Sequence, residues 1–210
     1  MKVLLFVLLG MAVGFVGNFL GGKYYEKRFG KTWDKMKNYL KATVMCGAGG
    51  GLFSVYGYSV TTITGYIILV SALLVISRID KIEMIIPNVI LIALVAVRTL
   101  LLGIELITNT ESAMFIFLSS VMGVFYGAVI FLVARLFGKN GIGMGDIKLF
   151  AVIGYFVGNT VILPLMLVSL LVAMVSGLVQ VARKKLTLKD SVSFGPYITA
   201  GSLLVMFMGV

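Results

Sequence analysis

Long apolar stretches, separated by short polar segments, run through most of this sequence. Each stretch is close to the roughly 20 residues that an α-helix needs to cross a bilayer, and none alternates apolar and polar residues as barrel strands do. The predicted spans are Val3–Leu20, Ala42–Gly57, Val60–Ser77, Pro87–Ile107, Ala113–Leu136, Gly145–Gly158, Val161–Ala182 and Val192–Met208. We therefore predict one all-α domain over residues 1–210, a polytopic membrane protein of about eight transmembrane helices.

The composition supports a membrane environment. Hydrophobic residues make up 60% of the chain and charged residues 12%, whereas a soluble domain carries about 25% charged residues. A single soluble core could not bury so much apolar surface. A bilayer can, provided that each span satisfies its own backbone hydrogen bonds.

Basic residues are concentrated in alternate loops. All but two of the 18 lysines and arginines lie between spans one and two, three and four, five and six or seven and eight, or open span six; the exceptions are Lys2 and Arg98. Because positively charged loops stay in the cytoplasm, we expect these loops to be cytoplasmic and both termini to lie outside. The net charge of +10 thus marks topology, and no stretch is typical of a nucleic-acid-binding surface.

The first basic loop, residues 23–41, has a helical pattern of its own. The aromatic and apolar residues that follow each other at helical spacing are Tyr25, Phe29, Trp33, Met36 and Leu40. These fall on one helix face, and lysines fall on another. We expect a basic amphipathic cytoplasmic segment that lies against membrane lipids; the alternative is a helix packed on the protein's own loops.

Two features of the composition limit the chemistry. The chain has no histidine, which excludes nucleophiles activated by histidine and HExxH zinc sites, and we expect no metal site. Its single cysteine, Cys46, lies in an apolar stretch. We expect it to be a buried apolar side chain without a disulfide partner.

Two aspartates stand out among the eight acidic residues. Asp80 ends the third span region and Asp146 opens the sixth, so the predicted topology puts both carboxylates on the cytoplasmic side. Two close carboxylates share one proton because like charges repel. Such a pair can hydrolyse a peptide bond, since the ionised aspartate deprotonates water and the neutral one protonates the carbonyl oxygen. The alternative is that each is a charge at a helix end.

Helix position suggests different roles for the two acids. Asp146 opens a helix, where the dipole favours an anion, and Asp80 closes one, where it favours a proton. We therefore predict that Asp146 is the resting base and Asp80 the resting acid.

Arg98 and Glu105 lie seven residues apart on the fourth span, which is two turns along one helix face. We expect a structural ion pair. The alternative is a proton or ion path, in which case the chain would be a polytopic transporter or channel that uses its intramembrane acidic residues.

Several motifs together resemble those of the type IV prepilin peptidases, bacterial members of the GxGD class of membrane aspartyl proteases. A lone GxGD would be weak evidence, but the joint match extends over nearly the whole chain in the order of the family. The matching segments are Gly14–Leu20 (GFVGNFL, loosely similar to a first-span GSFLN pattern), Asp80 with Ile86–Asn88 (IPN), Gly143–Leu149 (GMGDIKL) and Ser193–Tyr197 (SFGPY).

The resemblance implies a membrane aspartyl endopeptidase of the bacterial cytoplasmic membrane with Asp80 and Asp146 as catalytic residues. Its substrates would be prepilins or pseudopilins, in which a short basic leader, a glycine and an apolar helix follow each other. The cut would follow the glycine at the cytoplasmic face, and proteolysis would need no cofactor. The residues expected to bind substrate or support the pair are Gly143, Gly145, Lys148, Pro87, Asn88, Phe194, Gly195 and Pro196.

The sequence departs from the larger family members in one loop. They carry a cytoplasmic domain with two CxxC pairs between the first two spans, whereas residues 23–41 contain no cysteine. Many members also N-methylate the new amino terminus with S-adenosylmethionine, and no segment here identifies a pocket for that cosubstrate. Methylation therefore stays open. The sequence does not indicate the oligomeric state. Two further readings are a GxGD protease with other clients, similar to signal-peptide peptidase or presenilin, and a noncatalytic assembly factor.

Overall fold

The computed structural model describes residues 1–33, 35–137, 143–184 and 192–209. All regular secondary structure in these ranges is helical, which confirms the predicted all-α class. The helices are α1 (Lys2–Phe29), α2 (Lys35–Val55), α3 (Val60–Glu83), α4 (Asn88–Thr108), α5 (Ala113–Phe137), α6 (Met144–Ala182) and α7 (Gly195–Phe207), with a short 3-10 helix at Thr110–Ser112 between α4 and α5.

Most of these helices are suited to a bilayer. Within the described ranges, five helical stretches are long and apolar enough to cross a membrane: Lys2–Phe29, Val60–Glu83, Asn88–Thr108, Thr110–Leu136 and Met144–Ala182. The chain is thus a multi-pass membrane protein, as predicted. The predicted number of about eight crossings is not established by these five stretches and stays a prediction.

The longest helix, α6, consists of two arms joined at Gly158. This residue has φ 77° and ψ −177°, a backbone conformation that only glycine adopts without strain. The first arm packs antiparallel to α5, with Gly123 against Gly154. The second arm returns along α7, where Gln180 donates to the Tyr197 hydroxyl at 2.9 Å. The break therefore separates the same two stretches that the sequence predicts as spans six and seven.

One end of the bundle collects the residues of the predicted site. Gly195 at the start of α7 hydrogen-bonds Asp80 near the end of α3, and Asp80 interacts electrostatically with Asp146 at the start of α6. Tyr25, near the end of α1, reaches Glu83 at the end of α3. We call this the acid end. It is also where the basic residues around the ends of α1 and α3 lie, in agreement with the predicted one-sided charge.

Helix α3 is the centre of the bundle. Half of its apolar stretch is buried inside the protein, against 22–28% for the other four membrane-length stretches. Its buried side chains form the main core with residues from the other helices, and Cys46 is fully buried in the same core, as predicted. A residue on α3, such as Asp80, is therefore held in place from several sides.

The first basic loop differs from the predicted amphipathic helix. Helix α1 continues to Phe29, and Gly30 ends it with a left-handed φ of 65°, so the helical spacing does not continue through residues 23–41. Tyr25 and Trp33 are only 2% and 4% exposed, and they pack with Val75 and Ile79 of α3. For these two aromatic residues the alternative interpretation, packing on the protein itself, is the one that the structure supports.

The predicted ion pair between Arg98 and Glu105 is confirmed. The guanidinium Nη1 donates to Glu105 Oε2 at 2.9 Å, and both side chains are less than 10% exposed. Arg98 also donates to the Ser120 hydroxyl at 3.2 Å and to the Tyr155 carbonyl at 3.0 Å. Near the same break in α6, the backbone N–H of Asn159 donates to the Ser119 hydroxyl at 3.4 Å.

Candidate active site

The GxGD segment forms the first turn of α6. Gly143 is the residue just before the helix, and Asp146 is the third residue inside it. The Asp146 carboxylate folds back and accepts a hydrogen bond from the Gly143 backbone, as an acidic residue at this position does in a capping box. A Cβ on residue 143 would lie 2.8 Å from Asp146 Oδ2. Glycine at 143 thus leaves room for the carboxylate.

The second glycine of the motif serves a contact with the IPN segment. A Cβ on Gly145 would lie 3.1 Å from the Cβ of Ile86, so the start of α6 approaches the α3–α4 loop closely. On the next turn, Lys148 Nζ donates to the Asn88 side-chain oxygen at 3.3 Å. Lys148 is exposed and connects the two motifs.

Pro87 is the N-cap residue of α4. It stands immediately before the helix, at φ −70°, and its carbonyl accepts the backbone N–H groups of Ile90 and Leu91. The sequence predicts Pro87 as the first helical residue, one position later than its place in the structure. A proline loses nothing at this position, because the first N–H groups of a helix have no intrahelical partner.

Asp80 is buried near the end of α3, only 5% exposed. Its Oδ2 accepts the Gly195 backbone N–H at 2.8 Å. A Cβ on Gly195 would lie 2.8 Å from that oxygen and 3.0 Å from the Asp80 Cβ. Only glycine lets the first turn of α7 come this close to the carboxyl group.

The residues on either side of Gly195 hold it there. Phe194 packs on the stacked rings of Phe131 and Phe150, with ring centroids 6.2 and 6.1 Å away. Pro196 lies in the first turn of α7, where it costs no hydrogen bond. Pro196 is thus a first-turn residue of α7 and does not interrupt the helix.

The structure thus brings together three elements that are distant in sequence. Asp80 and Asp146 lie close enough to interact electrostatically, and each accepts a hydrogen bond from a glycine backbone. Both carboxylates now lie at a helix N-terminus, Asp146 on α6 and Asp80 against α7. Helix position, from which the base was predicted to be Asp146 and the acid Asp80, therefore does not distinguish the two carboxyl groups.

Glu83 is a neighbour of the pair whose contacts the sequence does not reveal. It reads as a surface charge, but its carboxylate accepts hydrogen bonds from the Tyr25 hydroxyl and from Lys31 Nζ, both at 2.7 Å. The bond to Glu83 raises the pKa of Lys31. Glu83 lies three residues after Asp80 and ties the end of α1 to the acid end. The helical spacing from Asp80 is the only sequence signal for this role.

Comparison with known proteins places the chain beside peptidases. Residues 67–180 match the profile of the type IV leader peptidase family. The chain is 32% identical over 143 residues to a protein of Bacillus subtilis named prepilin leader peptidase/N-methyltransferase, covering 68% of this chain and 55% of the relative. Proteins of that name from Xanthomonas campestris and Pseudomonas aeruginosa are 39% identical over 75 residues (36% of this chain, 26% of the relative) and 28% over 149 residues (68% and 49%).

The matches cover part of this chain and part of each relative. The chain spans about half the length of the Bacillus subtilis and Pseudomonas aeruginosa proteins. No solved structure matches it. The profile match includes Asp80, Asp146 and the IPN segment but ends before Gly195.

Proposed function

Because the chain belongs to the type IV leader peptidase family, we propose that it is a membrane aspartyl endopeptidase that removes the leader of type IV prepilin-like proteins. Asp80 and Asp146 are the catalytic pair. The observation that carries the proposal is that two carboxylates from different helices lie together at the acid end, each hydrogen-bonded to a glycine N–H. If each aspartate were only a stabilising charge at the end of its own helix, the two carboxylates would have no reason to lie close together.

The proposed reaction uses the pair as acid and base. The two carboxyl groups hold one proton between them, because two adjacent negative charges in a poorly solvated place repel. The ionised aspartate removes a proton from water, which attacks the scissile carbonyl carbon. The neutral aspartate protonates the carbonyl oxygen. The tetrahedral intermediate then collapses, and a proton passes to the leaving amine. Which aspartate starts as the base is left open.

The surroundings of the pair fit an extended peptide with a glycine before the cut. Gly143 and Gly195 leave room for the carboxyl groups of Asp146 and Asp80, and Gly145 lets the start of α6 approach Ile86. An extended substrate strand would lie against this glycine-rich wall. Asn88, Lys148 and Pro87 connect the two motif segments, and Phe194 with Pro196 positions Gly195. By the distribution of basic residues, we place this end at the cytoplasmic face of a bacterial cytoplasmic membrane, with both termini outside.

The proposal covers the peptidase step alone. The relatives are also named N-methyltransferases, and that reaction would require S-adenosylmethionine, a charged cosubstrate. One apolar groove is lined by apolar side chains apart from Ser71 and Tyr24, and a second groove has a volume of only 230 Å³. Neither offers a charged group for the amino, carboxyl or sulfonium groups, so these residues do not fit the cosubstrate.

Co-expression with a prepilin tests the catalytic assignment. Wild type should shorten the precursor by its leader, and mass spectrometry of the product should place the cut after the glycine. Asp80→Asn and Asp146→Asn should each abolish cleavage while inserting normally, and Glu111→Gln, an exposed acid outside the acid end, should cleave like wild type. Cleavage that survives both aspartate changes would remove the pair from the mechanism.

Cysteine labelling tests the proposed side of the membrane. The native Cys46 is fully buried, so a cysteine introduced at an exposed position is the reactive one. Lys27→Cys at the acid end should react with an impermeant maleimide only after cells are opened, and Glu111→Cys should react in intact cells whose outer layers have been removed. The reverse pattern would put the pair on the outer face.

A further inference from the structure

A long apolar groove runs along the surface of the bundle between α1 and α4, with α3 as its floor. Both helices pack on α3, but in the described chain they do not pack on each other. The groove has a volume of about 510 Å³. Its one buried floor hydroxyl, Ser71, already donates to the Val13 carbonyl at 3.3 Å. The groove therefore requires no polar partner from whatever fills it.

The groove begins at the acid end. On α3 its lining reaches Val75, about 7.5 Å before Asp80 along the helix. On α4 it starts at Val89, the residue after Asn88, and on α1 it reaches Tyr24. From there the α4 wall extends to Val97, which is about 12 Å along the helix and somewhat less than half of a ~30 Å hydrocarbon core.

These dimensions fit a helix whose first turns enter the membrane beside the cut. In the proposed substrate class the apolar helix follows the scissile glycine directly, so its first two or three turns must lie in the bilayer within reach of the pair. Small residues on the rims, such as Ala12 and Ala93, allow a helix to approach closely. A second groove, between α4, α5 and α6, is less than half as large, and its α4 wall begins only at Val95.

We propose that the groove between α1, α3 and α4 binds the apolar helix of the precursor and delivers the peptide bond before it to Asp80 and Asp146. This inference rests on the proposed peptidase function. It assigns recognition of the helix to a surface separate from the residues that perform the reaction, and lipid acyl chains would occupy the groove only between substrates.

Photo-crosslinking tests the occupant directly. Ala93 is exposed and lines the groove. Ile92, the preceding residue, is 68% exposed and is not part of the groove lining. In the Asp146→Asn chain, a photoreactive residue at position 93 should form an adduct with the helix of a bound prepilin, and one at position 92 should react mainly with lipid. Adducts of position 93 with lipid alone, or equal substrate adducts from both positions, would overturn the proposal.

Kinetics with the active chain give an independent readout. Ala93→Trp should fill the groove and raise KM for a full prepilin at least tenfold with little change in kcat, while Ile92→Trp should behave like wild type. A precursor whose helix carries alanines on one face should recover part of the loss. Unchanged kinetics of Ala93→Trp would refute the proposed role of the groove and leave the proposed peptidase function standing. A wild-type chain that cuts no prepilin would instead refute the proposed function.

Discussion

The backbone N–H of Gly195 donates to Oδ2 of Asp80 at 2.8 Å, although 115 positions separate the two residues. A side chain at position 195 would collide with the same carboxyl group. The contact therefore joins the first turn of α7 to the end of α3 only when residue 195 is glycine, and Phe194 anchors that turn in the aromatic core.

From this contact we predict that Gly195→Ala lowers kcat about ten- to hundredfold. A hydrogen bond to a charged group contributes roughly 1.5–3 kcal/mol, and the new methyl group would also displace the Asp80 carboxyl group. The measurement is initial rates of prepilin cleavage by purified protein. Gly177→Ala is the matched control, because a Cβ there meets nothing within 4 Å. Wild-type rates for Gly195→Ala would show that the contact is dispensable.

Much of the fold can be predicted because a bilayer constrains sequence strongly. The span lengths follow from apolar length, and even the break in α6 at Gly158 falls where the sequence separates two spans. Apolar length does not predict the extension of α1 to Phe29. A helix can continue beyond the bilayer with polar residues, because its backbone hydrogen bonds do not depend on the polarity of its side chains. The burial of Tyr25 and Trp33 against α3 depends on tertiary packing, which helical spacing alone does not specify.

The sequence predicts some features of the site and not others. Asp80 and Asp146 can be singled out because acidic residues are scarce and both lie at span ends. The purpose of each glycine cannot be derived from the motif, since Gly145 makes room for Ile86 and Gly195 for Asp80, contacts between distant parts of the chain. The assignment of acid and base stays open for the same reason: the start of α7 brings a second helix N-terminus to Asp80.

Lys148 and Asn88 should act as one unit. Their hydrogen bond, at 3.3 Å, is the polar connection between the start of α6 and the start of α4. We predict that Lys148→Met and Asn88→Ala each lower kcat/KM several-fold and that the double variant is no worse than either single one. Cleavage rates of the four proteins form a double-mutant cycle. Additive losses would mean that Lys148 acts on something other than Asn88, such as a substrate oxygen.

The rate should pass through a maximum as pH changes. If the pair works with one shared proton, kcat/KM falls at low pH when both carboxyls are protonated and at high pH when neither is, and the two limbs belong to the pair and not to single residues. The measurement is initial cleavage rate against pH, with circular dichroism over the same range to show that the fold persists. A rate that stays constant from roughly pH 4 to 9 would be incompatible with carboxyl chemistry.

The ion pair of Arg98 and Glu105 should stabilise the fold without taking part in cleavage. Each removal of one partner leaves the other charge buried, which costs about 3–5 kcal/mol. We therefore expect Glu105→Gln and Arg98→Met to lower the unfolding temperature clearly in detergent. The double variant should recover part of the loss, because no unpaired charge remains, although the Tyr155 carbonyl and the Ser120 hydroxyl lose their donor.

The same variants separate a structural pair from an ion path. Every polar contact of the pair described above is internal, with Thr62 donating to the second Glu105 oxygen at 3.3 Å, so the geometry favours a closed network. Folded Glu105→Gln protein, kept below its unfolding temperature, should cleave prepilin at nearly the wild-type rate, and liposomes with wild-type protein should show no proton or ion flux. Flux through the wild-type protein that disappears in Glu105→Gln would favour a transporter over a structural role, because conduction would then depend on the Glu105 charge.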